Sequence, residues 1–215
     1  MVRKTRWHSW IGRLGDDGKV GSYGFIDVDV HGANKPNSIA YGNNKAVVVG
    51  AGGVAWHSLD GIDWYGYILK ATALHCVFYS EADDAFVISG KRYIGYTRTP
   101  EDRSSWTLHY VESLHIASID YDAVHKKCVV SGQNQDSDVI HFAYSSDLDS
   151  WSFSPFGVNA SNSMYIADVI ADNLGNIYIG SHGDSHQYAR VWTNNAVTKA
   201  NEAIVESLAS SLGQR

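Results

Sequence analysis

Four times along this chain a short run of β-branched and aromatic residues ends in glycine, and an aromatic follows that opens a Ser/Thr/Asp-rich hairpin. The glycines are Gly50, Gly90, Gly132 and Gly180, and the aromatics are Trp56, Tyr96, Tyr144 and Trp192. The first unit reads Ile39-Ala40-Tyr41, a polar turn at Gly42-Asn43-Asn44-Lys45, then Ala46-Val47-Val48-Val49-Gly50. The second reads Val77-Phe78-Tyr79, a turn through Asp83-Asp84, then Phe86-Val87-Ile88-Ser89-Gly90. The third is Ile119-Asp120-Tyr121, a turn from Asp122 to Lys127, then Cys128-Val129-Val130-Ser131-Gly132. The fourth is Val169-Ile170-Ala171, a turn at Asp172-Asn173-Leu174-Gly175-Asn176, then Ile177-Tyr178-Ile179-Gly180. In each hairpin the second strand is apolar on both faces, as a strand buried between neighbours should be. The glycine at its end is expected to let the chain turn without a side chain in the way. A period of roughly 40 to 48 residues with four short strands per unit is the pattern of a β-propeller blade.

After each glycine comes a variable loop and then a second hairpin. The first unit continues through Val54-Ala55-Trp56-His57-Ser58-Leu59-Asp60-Gly61-Ile62-Asp63-Trp64, and the third through Phe142-Ala143-Tyr144-Ser145-Ser146-Asp147-Leu148-Asp149-Ser150-Trp151. Both carry Ser-x-Asp followed four residues later by Trp. This pattern resembles the Asp-box, the hairpin signature of the bacterial neuraminidase repeat found in sialidases and in many unrelated propellers. The resemblance implies that Ser58, Asp60, Trp64, Ser145, Asp147 and Trp151 are structural. The physics agrees, because Ser and Asp side chains bond a turn's own amides while the Trp covers the hairpin base. The second unit keeps Tyr96 and Trp106 but lengthens the turn and lacks Ser-x-Asp; the fourth has Trp192-Thr193-Asn194-Asn195 and no downstream Trp.

The fourth unit's missing Trp is expected from the other end of the chain, where Trp7-His8-Ser9-Trp10 can lie beside the Trp192 strand and close the ring, removing free edges. The blade count is four, or five if Gly18 to Val30 adds strands; alternatively the open edge pairs with another subunit. The expected class is therefore all-β: a small propeller of four to five blades over residues 1–197, closed by its terminal strands, followed by a distinct segment over 198–215. In that segment Ile204, Leu208 and Leu212 share one face at helical spacing, Thr198 is a candidate N-cap and Gly213 a stop. It reads as a short amphipathic helix that must dock, either on the propeller or in an assembly.

Composition sets limits on the function classes. With 215 residues, 44% of them hydrophobic, 7 Trp and 13 Tyr, one all-β domain buries an ample core, and only 3 Pro and no Ser/Gly-rich linker speak against a second domain. Cys76 and Cys128 both sit in apolar, strand-like segments and read as buried thiols rather than a disulfide. Basic Arg3, Lys4 and Arg6 are followed by no apolar run of signal-peptide length, and no stretch is long enough to span a bilayer. The net charge of −6 gives no basic face for nucleic acid.

Sialidases that share the box use an Arg cluster, a Tyr/Glu pair and an Asp acid, and usually an N-terminal Phe/Tyr-Arg-Ile-Pro segment. That segment is missing here and Arg is sparse. Other glycosidases need two facing carboxylates, for which Asp27, Asp29, Asp120, Asp138 and Asp168 are the available residues, with no way to pair them from sequence. His182, Asp184 and His186 alternate after the fourth glycine, but three alternating ligands on one extended segment suit tetrahedral Zn²⁺ poorly. No catalytic residue, metal or cofactor is assigned. The segments after the four glycines vary most in length, and as equivalent loops on one face they shape a surface. Arg92, Tyr93, Gln133, Asn134, His182, His186 and Tyr188 offer hydrogen bonds and stacking to a carbohydrate or a protein.

Small Asp-box propellers without a signal peptide, rich in Gly, Ser, Asn and aromatics, look like bacteriophage virion components of tails and capsid surfaces. The resemblance implies a non-enzymatic structural or recognition protein, assembled in the host cytoplasm into a virion with other virion proteins or with itself, and able to bind a host-surface glycan or protein. The alternative is a glycan-binding lectin or a glycosidase-like propeller.

Overall fold

The computed structural model describes residues 7–14, 20–28, 35–70, 72–134, 139–159, 164–183 and 189–193. Among these the secondary structure is all β, with two short 3₁₀ turns at Ala51–Gly53 and Arg103–Ser105. The expected helix over 198–215, with Ile204, Leu208 and Leu212, lies outside the described residues, as do His186 and Tyr188. The chain divides into two compact units, residues 1–88 with 96–107, and residues 89–95 with 108–215.

In the first unit β1 (Trp7–Leu14) pairs antiparallel with β2 (Val20–Val28), the latter falling in the stretch whose strands would raise the blade count from four to five. Strands β3 (Pro36–Gly42), β4 (Lys45–Gly50), β5 (Val54–Ser58) and β6 (Tyr65–Ile68) form a four-stranded antiparallel meander. A left-handed pair, Asn43 and Asn44, makes the two-residue turn between β3 and β4, as the primed turns of tight hairpins require. The next strand, β7 (Leu74–Ser80), packs on β3 and β4 and is followed by β8 (Ala85–Thr97). Val47, Val49, Ala55, Leu74, Val77, Phe86 and Val87 are buried there.

The second unit repeats the plan. Strands β9 (Thr107–Asp122), β10 (Lys127–Asn134), β11 (Val139–Ser145) and β12 (Ser152–Asn159) are neighbours in that order, and residues 114–122 of β9 pair with β10. Strands β13 (Met164–Ala171), β14 (Ile177–Gly183) and β15 (Ala189–Thr193) form a three-stranded sheet. Val129 and Ile140 of the first sheet share one core with Val169, Ile177 and Ile179 of the second. Burial of apolar side chains from both sheets is the driving force for stacking one repeat on the next.

Pairing registers revise the expected role of the glycines. In each of three repeats the first strand carries one extra residue: Asn37 between Pro36 and Ser38, Ala117 between Ile116 and Ser118, and Ala167 between Ile166 and Asp168. Gly50 and Gly132 stand opposite the residue before that bulge. A Cβ on Gly132 would lie 2.7 Å from the His115 carbonyl oxygen and 3.1 Å from Ile116 Cα. A Cβ on Gly50 would lie 3.1 Å from Pro36 Cα and closer still to the Lys35 carbonyl oxygen. Glycine is needed because the bulged strand approaches closely, not because the chain turns. In the fourth repeat Ser181 pairs with Ile166 and so occupies the matching place; Gly180 comes one residue early, and a Cβ there would meet nothing within 4 Å.

The described residues of three of the expected loops lie in strands. Arg92 and Tyr93 lie inside β8, Arg92 with φ of 66°. Gln133 pairs with His115 and Ile140, Asn134 pairs with Leu114, and His182 pairs with Tyr165 and Ala189. At Gln133 and His182 the ladder continues past the glycine because the backbone groups there still find partners on both sides. A contiguous loop surface formed by Arg92, Tyr93, Gln133, Asn134 and His182 is therefore set aside. Neither cysteine is in a disulfide; Cys128 is buried and Cys76 half-buried.

Candidate functional site

The Ser-x-Asp turns are bonded to themselves. Ser58 Oγ donates to Asp60 at 3.1 Å and accepts the Gly61 amide at 2.8 Å, while Asp60 Oδ1 accepts the amides of Ile62 and Asp63 at 2.8 and 2.9 Å. Trp64 Nε1 donates to the Gly61 carbonyl at 3.3 Å. The second turn is a copy: Ser145 Oγ to Asp147 at 2.9 Å, Asp147 Oδ1 accepting Asp149 and Ser150 amides at 2.9 and 2.7 Å, and Trp151 Nε1 to the Leu148 carbonyl at 3.0 Å. The Ser150 amide foremost, then the Ser145 hydroxyl, holds the Asp147 carboxyl down at about 2. The Ile62 and Asp63 amides lower that of Asp60 in the same way.

The longer turn of the second repeat uses other residues for the same purpose. Asp102 Oδ1 accepts the Ser104 amide at 2.8 Å, and Thr97 Oγ1 accepts the Thr99 amide at 3.1 Å. Trp106 Nε1 donates to the Tyr67 hydroxyl at 2.7 Å, which in turn donates to the Pro100 carbonyl. Beside it, Lys45 reaches Glu101 at 2.9 Å.

Two of the carboxylates considered for chemistry are likewise occupied. Asp120 Oδ2 accepts the Ala171 amide at 2.7 Å, and Asp168 Oδ1 accepts the Ser118 hydroxyl and the Val169 amide, the latter at 2.9 Å. They join β9 to β13 rather than face one another across a cleft. The side chains of Asp27, Asp29, Asp138, His182 and Asp184 lie outside the described residues. Tyr93 meets Tyr110 edge-on, with ring centroids 5.5 Å apart.

The second unit contains a groove of about 180 Å³ that none of the expected site residues lines. Its walls are Asp122, His125, Lys127, Val129, Phe142, Tyr144, Gly175 and Ile177. The sequence places them simply: Lys127 pairs with Asp122 across the β9–β10 hairpin, Tyr144 pairs with Val129, and period-two alternation puts Phe142 on the same face. Asp122 Oδ1 accepts the Val124 and His125 amides at 3.0 and 3.1 Å, and Oδ2 lies 2.6 Å from His125 Nδ1. Burial works to raise the Asp122 carboxyl, but the His125 hydrogen bonds and the Val124 amide outweigh it and hold it low. The ionised carboxylate makes Nδ1 the donor and keeps the ring of the otherwise exposed His125 in one tautomer.

Lys127 Nζ sits 4.3 Å from the centroid of Tyr144, and the Phe142 and Tyr144 rings stack with centroids 6.3 Å apart. The lining brings an imidazole, an ammonium, a carboxylate and the Tyr144 phenol beside the apolar Val129, Phe142 and Ile177, groups that can hydrogen-bond a ligand and stack on it. The signal in the sequence was the turn Asp122-Ala123-Val124-His125-Lys126-Lys127, which gathers a histidine and two lysines where the first turn has Lys45 alone and the other two are acidic.

No family model and no curated protein matches the chain. Its fold is similar to the extracellular domain of the putative one component system BT4673 from B. thetaiotaomicron, at 10% identity and a TM-score of 0.54 over 81% of this chain. The extracellular domain described as that of a putative hybrid two component system BT4673 gives 10% identity and 0.52 over the same share. The chain spans only 23% and 24% of the length of those two structures. The computationally designed Ika4 protein gives 12% identity and 0.50, covering 78% of this chain and 95% of that one. At these identities the likeness concerns the fold alone.

Proposed function

We propose that this chain is a non-enzymatic structural or recognition protein: a small Asp-box β-propeller of four to five blades that serves as a bacteriophage virion component, on the tail or capsid surface. The observation that carries the reading is where the polar side chains are spent. Ser58, Asp60, Asp102, Asp122, Ser145, Asp147 and Asp172 all bond their own turns, and Asp120 and Asp168 bond neighbouring strands. What is left is a scaffold of repeated meanders with a groove suited to binding. Four-stranded meanders with a recurrent bulge are what propeller blades are made of, and terminal strand closure would protect their edges. The segment at 198–215 and the basic N-terminal arm are the proposed contacts to other virion proteins or to further copies, and a host-surface protein or glycan is the proposed ligand.

A second reading, a lectin or glycosidase-like propeller, draws on the stacked Phe142–Tyr144 pair beside His125. A panel of fluorogenic glycosides together with a glycan array tests both. No turnover is expected; turnover abolished by Asp120→Asn or Asp168→Asn overturns the non-enzymatic reading. Adjoining capsid or tail genes are expected, and neighbours with no virion gene among them overturn the virion assignment.

A further inference from the structure

Two lysines hold the same place in the two units and differ in what they meet. Lys45-Ala46-Val47-Val48-Val49-Gly50 and Lys127-Cys128-Val129-Val130-Ser131-Gly132 run in step. Each lysine opens its strand at the closing pair of a hairpin, opposite Gly42 in the first unit and opposite Asp122 in the second. Two residues on, Val47 pairs with His57 and Val129 with Tyr144, so both lysines enter the same corner of their sheets.

In the first unit that corner holds a carboxylate. Lys45 Nζ meets the two oxygens of Glu101 at 2.9 and 3.0 Å, and Glu101 comes from the turn that follows β8 in the next repeat. In the second unit the corresponding stretch follows β15, and residues 190–201 contain neither Asp nor Glu. Lys127 makes no ion pair among the described residues. Its half-buried side chain instead leads the ammonium onto the Tyr144 ring, 4.3 Å from the centroid. A ring face attracts and orients a cation without neutralising it.

The groove of about 180 Å³ opens beside this ammonium. Asp122 shares the lining, but its carboxylate is 4% exposed and is spent on the Val124 and His125 amides and on the His125 ring. Lys127 is therefore the charged group that an incoming ligand meets with its charge unpaired.

We propose that this groove receives the carboxylate of an acidic side chain from a partner polypeptide, paired with Lys127 as Glu101 pairs with Lys45. Val129, Phe142 and Ile177 take the methylenes that carry it. This names the partner chemistry of the recognition reading and rests on it. A pair of this kind fixes the register of a partner and weakens as salt screens it.

The test is NMR titration of the full chain with N-acetyl-glutamate α-amide, with its neutral counterpart N-acetyl-glutaminamide, and with a methyl glucuronide. The glutamate probe is expected to shift the Phe142 and Tyr144 ring signals and the Lys127 ε-methylene signal in a saturable way, less strongly as salt is raised. The glutamine probe is expected to bind several-fold more weakly and the glucuronide to be silent. Lys127→Gln is expected to erase the preference for glutamate over glutamine, and Lys45→Gln, in the other unit, to keep it; urea midpoints establish that both variants are folded. No response to the glutamate probe, equal binding of glutamine, a preference that survives in a folded Lys127→Gln or is lost in a folded Lys45→Gln, or a glucuronide response in place of the glutamate one each overturns the proposal. The recognition reading fails separately, on glycoside turnover that depends on Asp120 or Asp168.

Discussion

Substituting alanine at Gly132 and at Gly180 separates two roles that the sequence presents as one. At Gly132 the new methyl would lie 2.7 Å from the His115 carbonyl oxygen and 3.1 Å from Ile116 Cα. Both obstacles are backbone atoms of a bulged, hydrogen-bonded strand, so neither can move aside as a flexible side chain does. Overpacking of this kind costs about 1–3 kcal/mol. At Gly180 the methyl enters space with no atom within 4 Å, and removing a glycine from a strand interior gains about 0.5–1 kcal/mol from reduced backbone freedom. The two variants should therefore lie on opposite sides of wild type and differ by roughly 1.5–4 kcal/mol. Equilibrium urea unfolding followed by tryptophan fluorescence reads this out. With a slope of roughly 2–3 kcal/mol per M, Gly132→Ala should lower the midpoint by roughly 0.3–1.5 M, and Gly180→Ala should raise it slightly. Equal destabilisation by the two changes would refute the offset register of the fourth repeat and the bulge explanation with it.

Three further outcomes are expected. Tyr67→Phe leaves the indole N–H of the buried Trp106 without its acceptor and should cost about 1–3 kcal/mol, with a shift in tryptophan emission; a neutral effect would mean that water takes the place of the hydroxyl. Ile179→Ala, at a side chain 0% exposed in the shared core of β10, β11, β13 and β14, should cost about 2–5 kcal/mol in urea unfolding. The Asp147 and Asp172 carboxyls are both depressed to about 2, by the Ser150 amide and by the Asn176 side chain respectively. Because the folded values lie below the unfolded ones, their stabilisation is complete above the ordinary carboxylate range and is lost as pH falls from about 4 towards 2. Asp147→Asn should flatten the urea midpoint across that window, and an unchanged pH dependence would show that the turn bonds do not favour the ionised form.

Much of the architecture was legible because it rests on local alternation. Four apolar hairpins, their turns and both Ser-x-Asp staples follow from residues close in the chain: Ser58 and Asp60 bond amides no more than three positions away. The candidate site was not legible, because the segments after the glycines look like loops only if the ladder stops there. Gln133 and Asn134 continue to pair with β9, and a strand's continuation depends on a neighbour's backbone rather than on its own composition. The groove was missed for a related reason. Asp122, His125 and Lys127 read as one polar turn, while Phe142, Tyr144, Gly175 and Ile177 come from three other segments that only packing brings to it.

Hydrophobic period, turn chemistry and the recurrence of glycine are properties of short stretches, so the chain alone determined that this protein is built of repeated β-hairpins with self-bonded turns. Register belongs to two strands at once, and cavities belong to two sheets at once. For that reason only the tertiary structure decided that Ser181 rather than Gly180 faces the fourth bulge. The same holds for the groove: its walls are set by residues up to 55 positions apart, from Asp122 to Ile177, and close only when apolar burial stacks one repeat on the next.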